Sequence, residues 1–284
     1  MLRTLLCFLA SLIVSAGLWA QDRPLRTVDA ETVPAGVLRA EAGMEFLHNI
    51  DFPLSGLSGD LTSAGVINFR MGVGSLAEVQ IEVSIQDFLD IHAQGPSYIT
   101  PLQLSGANST HDTGDYSLSV KLRVLREKGK RPGVALKTGF TMPNTNERKG
   151  LGNNTLAAHA ILAVGKQWKG VKLFGNAGVE MIDTPNALHA QNDVVRYGGA
   201  FVIPAGKRVE IVAEAAGRYS PRAMTASLVG TESRGEARMG VRIAAGGFTW
   251  DVAGIAGLNR DDPGSGMTFG VRKELRIFHL GAEK

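Results

Sequence analysis

The sequence is short of several things. Its single cysteine, Cys7, lies in an apolar stretch near the start, so the chain beyond it has no disulfide and no thiol nucleophile. Aromatic residues make up only 6% of the chain. No apolar run past the first twenty residues approaches the ~18 needed for a spanning helix, so any crossing of a membrane falls to strands. Basic and acidic residues nearly balance, with a formal net charge of +3 and no basic tract, which gives nucleic acid nothing to bind. Gly-x-Ser-x-Gly, His-Glu-x-x-His and phosphate-loop motifs are all missing. The adjacent His111 and Asp112 are too few to hold a metal. These absences disfavour an enzyme, and no cofactor is expected.

Residues 1–20 read as a secretory signal. Arg3 gives the positive start, Leu5 to Val14 form the apolar core, and cleavage is expected after Ala20, with Ala16 as a second site. Residues 21–36, with Pro24 and Pro34, form either a disordered leader or a partial plug in a barrel mouth. Residues 37–284 carry no composition shift and are expected to be one domain.

Strict alternation dominates that domain. Val79, Ile81, Val83 and Ile85 alternate with Glu78, Gln80, Glu82, Ser84 and Gln86. Tyr116, Leu118, Val120, Leu122 and Val124 likewise alternate with Asp115, Ser117, Ser119, Lys121 and Arg123. A period of two is a strand, since a helix would scatter both sets around its circumference. The same reading places strands near 37–47, 62–73, 76–86, 115–125, 133–142, 155–165, 171–181, 193–203, 209–219, 233–244, 248–258 and 267–278. About ten residues of tilted strand cross a bilayer's hydrocarbon band. The gaps alternate long (48–61, 87–114, 143–154, 182–192, 220–232, 259–266) and short (74–75, 126–132, 166–170, 204–208, 245–247), as extracellular loops and periplasmic turns would. Phe46, Tyr116, Phe140 and Tyr219 fall at loop ends and Trp168, Phe201, Phe248, Trp250 and Phe278 near turn ends, outlining two thin interfacial girdles. The expected fold is an all-β transmembrane antiparallel up-and-down barrel of about twelve strands.

The stretches 23–41 (RPLRTVDAETVPAGVLRAE), 114–125 (GDYSLSVKLRVL) and 131–143 (RPGVALKTGFTMP) resemble the outer-membrane proteins named for the meta-pathway of phenol degradation. The likeness covers most of the chain. Such barrels often finish on an aromatic residue, whereas here six residues follow Phe278. The resemblance implies a channel or transporter for small solutes, aromatic or hydrophobic compounds among them. It also implies outer-membrane lipid and the outer-membrane assembly machinery as partners.

With the apolar face toward lipid, the polar face lines the lumen. Candidate selectivity residues are Glu41, Glu45, Glu78, Glu82, Lys121, Arg123, Lys137, His159, Arg196, Glu214, Arg238, Arg242, Asp251 and Arg272, with Arg218 and Arg234 among the further lumen bases. Lys121, Arg123 and Lys137 would form a basic stripe. Expected contacts are Glu82 with Lys121 or Arg123, Arg272 and Arg276 with Glu41 and Glu45, and Arg242 with Asp251. A register ladder without transport function is the plainer alternative. His48, His92, His111, His189 and His279 fall in expected loops or the tail, leaving His159 as the one mid-strand histidine. Besides a channel, the sequence leaves open a structural or assembly barrel, a membrane-embedded lipid hydrolase working through His159, and a soluble β-sandwich.

Overall fold

The computed structural model describes residues 23–99, 101–183 and 190–278; residues 1–20, His189 and His279 lie outside them. The strands are β1 (Val37–Phe52), β2 (Leu57–Val73), β3 (Ala77–Gln94), β4 (Ser109–Asp112), β5 (Tyr116–Leu125), β6 (Gly133–Met142) and β7 (Ala157–Trp168). They continue as β8 (Val171–Asp183), β9 (Gln191–Pro204), β10 (Val209–Tyr219), β11 (Arg234–Ala245), β12 (Phe248–Gly257) and β13 (Ser265–Arg276). Each pairs antiparallel with its neighbours, and β1 pairs with both β2 and β13. The ring therefore closes as a barrel of twelve long staves. Short β4 extends the β5 edge, pairing with Asp87–Asp90 of β3 beyond the point where β5 pairs with Ala77–Glu82.

Closure follows from the sequence pattern. A closed ring leaves no backbone edge unpaired in hydrocarbon, and the period-two pattern puts apolar residues outside. Ile81, Leu118, Phe140, Leu162, Val179, Val195, Met239, Val252 and Phe269 all face outward and are exposed. Arg39, Arg70, Glu78 and Lys121 point inward and are fully buried. This is the inverse of a two-layered soluble sandwich, whose apolar residues would meet in a dry centre.

Of the expected long loops, 48–61 is mostly strand and 87–114 is so in part. The first hairpin continues to a tight turn at 53–56 with Gly56 at φ +71°, and β3 runs on to Gln94. Sequence alternation hides this because the phase slips. At Gly65 (φ +68°) the β1–β2 register shifts, and in β3 Ile85 and then Phe88 are the outward residues, with Leu89 buried. His48, His92 and His111, expected in loops, accordingly lie on β1, β3 and β4, where His48 Nδ1 sits 2.7 Å from the Asp60 carboxylate.

Candidate functional site

Residues 23–36 run inside the barrel, against wall residues of most strands, before the chain enters β1. Their charges are sorted along the chain. The leading half is basic and meets acids: Arg26 pairs with Glu45 (2.7 Å) and Glu236 (2.8 Å), and Arg23 Nε lies 3.7 Å from Asp251. Glu214 accepts from the Arg26 and Thr27 backbone N–H groups and from Thr27 Oγ1, each at 2.7 Å. Arg238 donates to Pro24 O (3.0 Å) and Glu45 (2.8 Å), and Arg242 Nε to Arg23 O (2.8 Å). The trailing half is acidic and meets bases: Asp29 is bonded by Lys172, and Glu31 lies 3.5 Å from Arg123. Glu78 then accepts from Val33 N at 2.5 Å, and the segment ends on a bridge between Ala35 and Gly72.

Apolar contacts complete the docking. Leu25 packs with Phe174, Ala200, Val202 and Val212, and Val28 with Ile161 and Ala163. Space for Arg23 comes from Gly43 and Gly270, opposite each other in the β1–β13 ladder. A Cβ on either would lie 2.4 Å from its guanidinium.

The segment floors a cavity of about 750 Å³ whose lining also includes loop residues such as Leu54, Ile99 and Leu151. Of the sequence-selected residues, Glu41, Glu45, Glu82, Lys137, His159, Arg196 and Arg238 line it. Arg123, Glu214, Arg242 and Asp251 instead hold or neighbour the inner segment. Glu78 and Lys121 form a fully buried pair at 3.4 Å. Arg272 lies toward the turn end and donates to Thr249 Oγ1 (3.2 Å).

One expected contact is corrected, and two hold in register while their members also meet other partners. Lys121 is opposite Glu78 in the register, so its acid is Glu78, while Glu82 reaches one strand further to Lys137 (3.1 Å) and Arg123 turns to Glu31. Arg272 is opposite Glu41 as expected, yet Glu41 bonds Arg70 of β2 (3.2 Å), Glu45 bonds Arg26 and Arg238, and the β1–β13 ion pair is Arg39 with Glu274 (2.5 Å). Arg242 and Asp251 are opposite each other as expected, with Glu210 also 3.5 Å from Arg242 and Arg23 3.7 Å from Asp251. Glu82 and Glu45 thus meet partners on a further strand or on the inner segment that alternation alone does not suggest. The segment's own charges, Arg23, Arg26, Asp29 and Glu31, were missed as site residues. Their signal was present in two bases followed by two acids at a spacing of two or three.

His159 accepts or donates across to Ser119 Oγ at 3.2 Å, over Gly139 of the strand between them. No carboxylate is hydrogen-bonded to the imidazole among the described residues, and Ser119 is only 2% exposed. A hydrolase needs an oriented base and a reachable hydroxyl, and this pair has neither.

Outward apolar staves, an inward charged lining and a closed ladder define a transmembrane β-barrel. The chain belongs to the family described as "Putative MetA-pathway of phenol degradation", whose pattern matches residues 21–202. No curated protein matches the sequence. In fold it is similar to the COG4313 outer membrane channel from Pseudomonas putida F1, with a TM-score of 0.59 at 12% identity over 87% of this chain and 98% of that one. It is also similar to the translocator domain of the autotransporter NalP from Neisseria meningitidis, with a TM-score of 0.51 at 10% identity over 96% of this chain and 94% of that one.

Proposed function

We propose that the protein is a passive outer-membrane channel for small solutes, aromatic or hydrophobic compounds among them, narrowed from within by residues 23–36. The observation that carries this reading is the chamber of about 750 Å³, lined by charged and apolar residues alike, inside a closed apolar-coated barrel and floored by a segment held through side-chain contacts and not through a continuous ladder. A barrel with only a structural role needs no such chamber. Fold likeness to a solved outer-membrane channel and family membership support the same reading. Export would follow cleavage of residues 1–20, with insertion by the outer-membrane assembly machinery. The longer loops would face outward, and the turns and inner segment the periplasm. The candidate lumen residues act in this reading by fixing the inner segment and setting the charge seen by a solute.

Recording from the purified chain in planar bilayers, with solute flux into liposomes, tests it. Small but defined conductance steps and uptake of small phenolics are expected. A protein that is folded and inserted yet passes neither ions nor solutes contradicts the proposal.

A further inference from the structure

Strand register lines up basic residues in a way that alternation cannot reveal. Lys121 is opposite Lys137, Lys137 opposite Ile161, Ile161 opposite Gly178, Gly178 opposite Arg196, Arg196 opposite Arg218, and Arg218 opposite Arg234. Five of the seven residues in this row are cations, all facing inward. Strand neighbours lie about 5 Å apart and barrel strands tilt by ~35–45°, so six steps climb about 15–20 Å. The row rises from Lys121, packed beside the Glu78 that holds the inner segment, to Arg234 at the loop end. Its last three members, Arg196, Arg218 and Arg234, are adjacent in register and all line the chamber.

Like charges directly opposite each other destabilise a sheet unless something compensates. Lys121 has Glu78, Lys137 has Glu82, Arg196 has Glu180 at 3.2 Å, and Arg234 has Asp262 at 3.8 Å. Arg218 has no carboxylate within 4 Å among the described residues. Its guanidinium donates to two backbone carbonyls, Glu232 O at 2.9 Å and Gly230 O at 3.2 Å, and the nearby Glu232 carboxylate is spent on Gly230 N–H at 2.7 Å. Four acids of the chamber are engaged by cations, Glu41 by Arg70, Glu45 and Glu236 by Arg26 and Arg238, and Glu82 by Lys137, while Asp115 and Glu232 accept from backbone N–H groups. Arg218 is thus the cation of the row whose guanidinium is held by neutral carbonyls, with Arg196 and Arg234 on either side in register. Apolar side chains, Leu25, Val28, Leu54, Ile161 and Ile182, line the same chamber.

We propose that the chamber is a binding site for small amphiphilic monocarboxylates, with Arg218 as the anion anchor between Arg196 and Arg234 and the apolar residues holding the ligand's body. A guanidinium takes a carboxylate through two parallel N–H bonds. The site deepens the channel reading, on which delivery of the ligand rests, but binding is measurable without passage.

The test titrates the detergent-purified full chain with benzoate and, as a neutral counterpart of similar shape, benzyl alcohol. Benzoate is expected to bind at least ~tenfold more tightly, in a salt-weakened manner, because only it brings a carboxylate to the Arg218 guanidinium. Arg218→Gln removes that preference, Arg218→Lys keeps part of it, and Arg222→Gln, on an exposed loop, leaves it intact. Heat-modifiable gel mobility verifies folding, and Arg196→Gln, which weakens benzoate binding less, serves should Arg218→Gln not fold. Equal affinity for the two probes, or a preference that survives in Arg218→Gln, overturns the assignment. Benzoate preference in a protein that passes no solute would remove the channel reading and leave this site standing, whereas flux without preference would do the reverse.

Discussion

Arg26 Nη2 and Glu45 Oε1 meet at 2.7 Å inside the barrel, joining a segment that is not part of the wall to the first strand of the wall nineteen positions later. Glu45 is shared with Arg238, and Arg238 also holds Pro24 O, so the segment, β1 and β11 are cross-linked at one level. In the channel reading, this knot fixes the segment that narrows the lumen.

Loosening the segment should therefore widen the pore without dismantling the barrel. Glu214→Ala strips the acceptor from three donors at once, and a lost hydrogen bond to a charged group costs about 1.5–3 kcal/mol. Single-channel conductance is expected to rise and to fluctuate, while heat-modifiable gel mobility stays that of a folded barrel. Unchanged conductance in Glu214→Ala and in Arg26→Ala would mean that the segment does not limit passage.

Gly139 makes room for the Ser119–His159 contact. A Cβ there would lie 2.4 Å from both Leu118 O and Ser119 Oγ. Gly139→Val should destabilise the barrel by about 1–3 kcal/mol through overpacking. Gly199→Ala, whose Cβ would meet nothing within 4 Å, should be neutral. Urea titration of the vesicle-inserted protein, followed by tryptophan fluorescence, measures both.

Leu162 is 50% exposed on the outer face near the middle of β7. Leu162→Arg should cost about 2–4 kcal/mol in lipid, the penalty for a basic residue at the bilayer midplane. Ser117 of β5 lines the chamber opposite Glu82, where an added cation meets a carboxylate, so Ser117→Arg should fold into vesicles more readily. The reverse order would place lipid on the wrong side of the wall.

Staves and their facing were legible because period two is local: Val79 to Gln86 announce themselves with no knowledge of their neighbours. The strand extensions at 48–52 and 87–94 were not legible, since the phase slip at the level of Gly65 erases alternation where the strands continue. Site residues were readable singly, as inward charges, but not in pairs. Whether Glu82 meets Lys121 or Lys137 depends on register, which is set by turns and bulges on both flanking strands. The row from Lys121 to Arg234 was invisible for the same reason, because its members are scattered over more than a hundred positions and come together only when seven strands are laid side by side.

The most direct measurement uses the absence of cysteine beyond Cys7. Single cysteines placed in turn from Val79 to Ile85 of β3 are labelled with a fluorophore and exposed to brominated lipid chains and to an aqueous quencher. Labels at 79, 81, 83 and 85 should be quenched by lipid, and those at 80, 82 and 84 should be shielded from it. Quenching of the opposite parity, or none that alternates, would contradict a closed barrel with its charges inside.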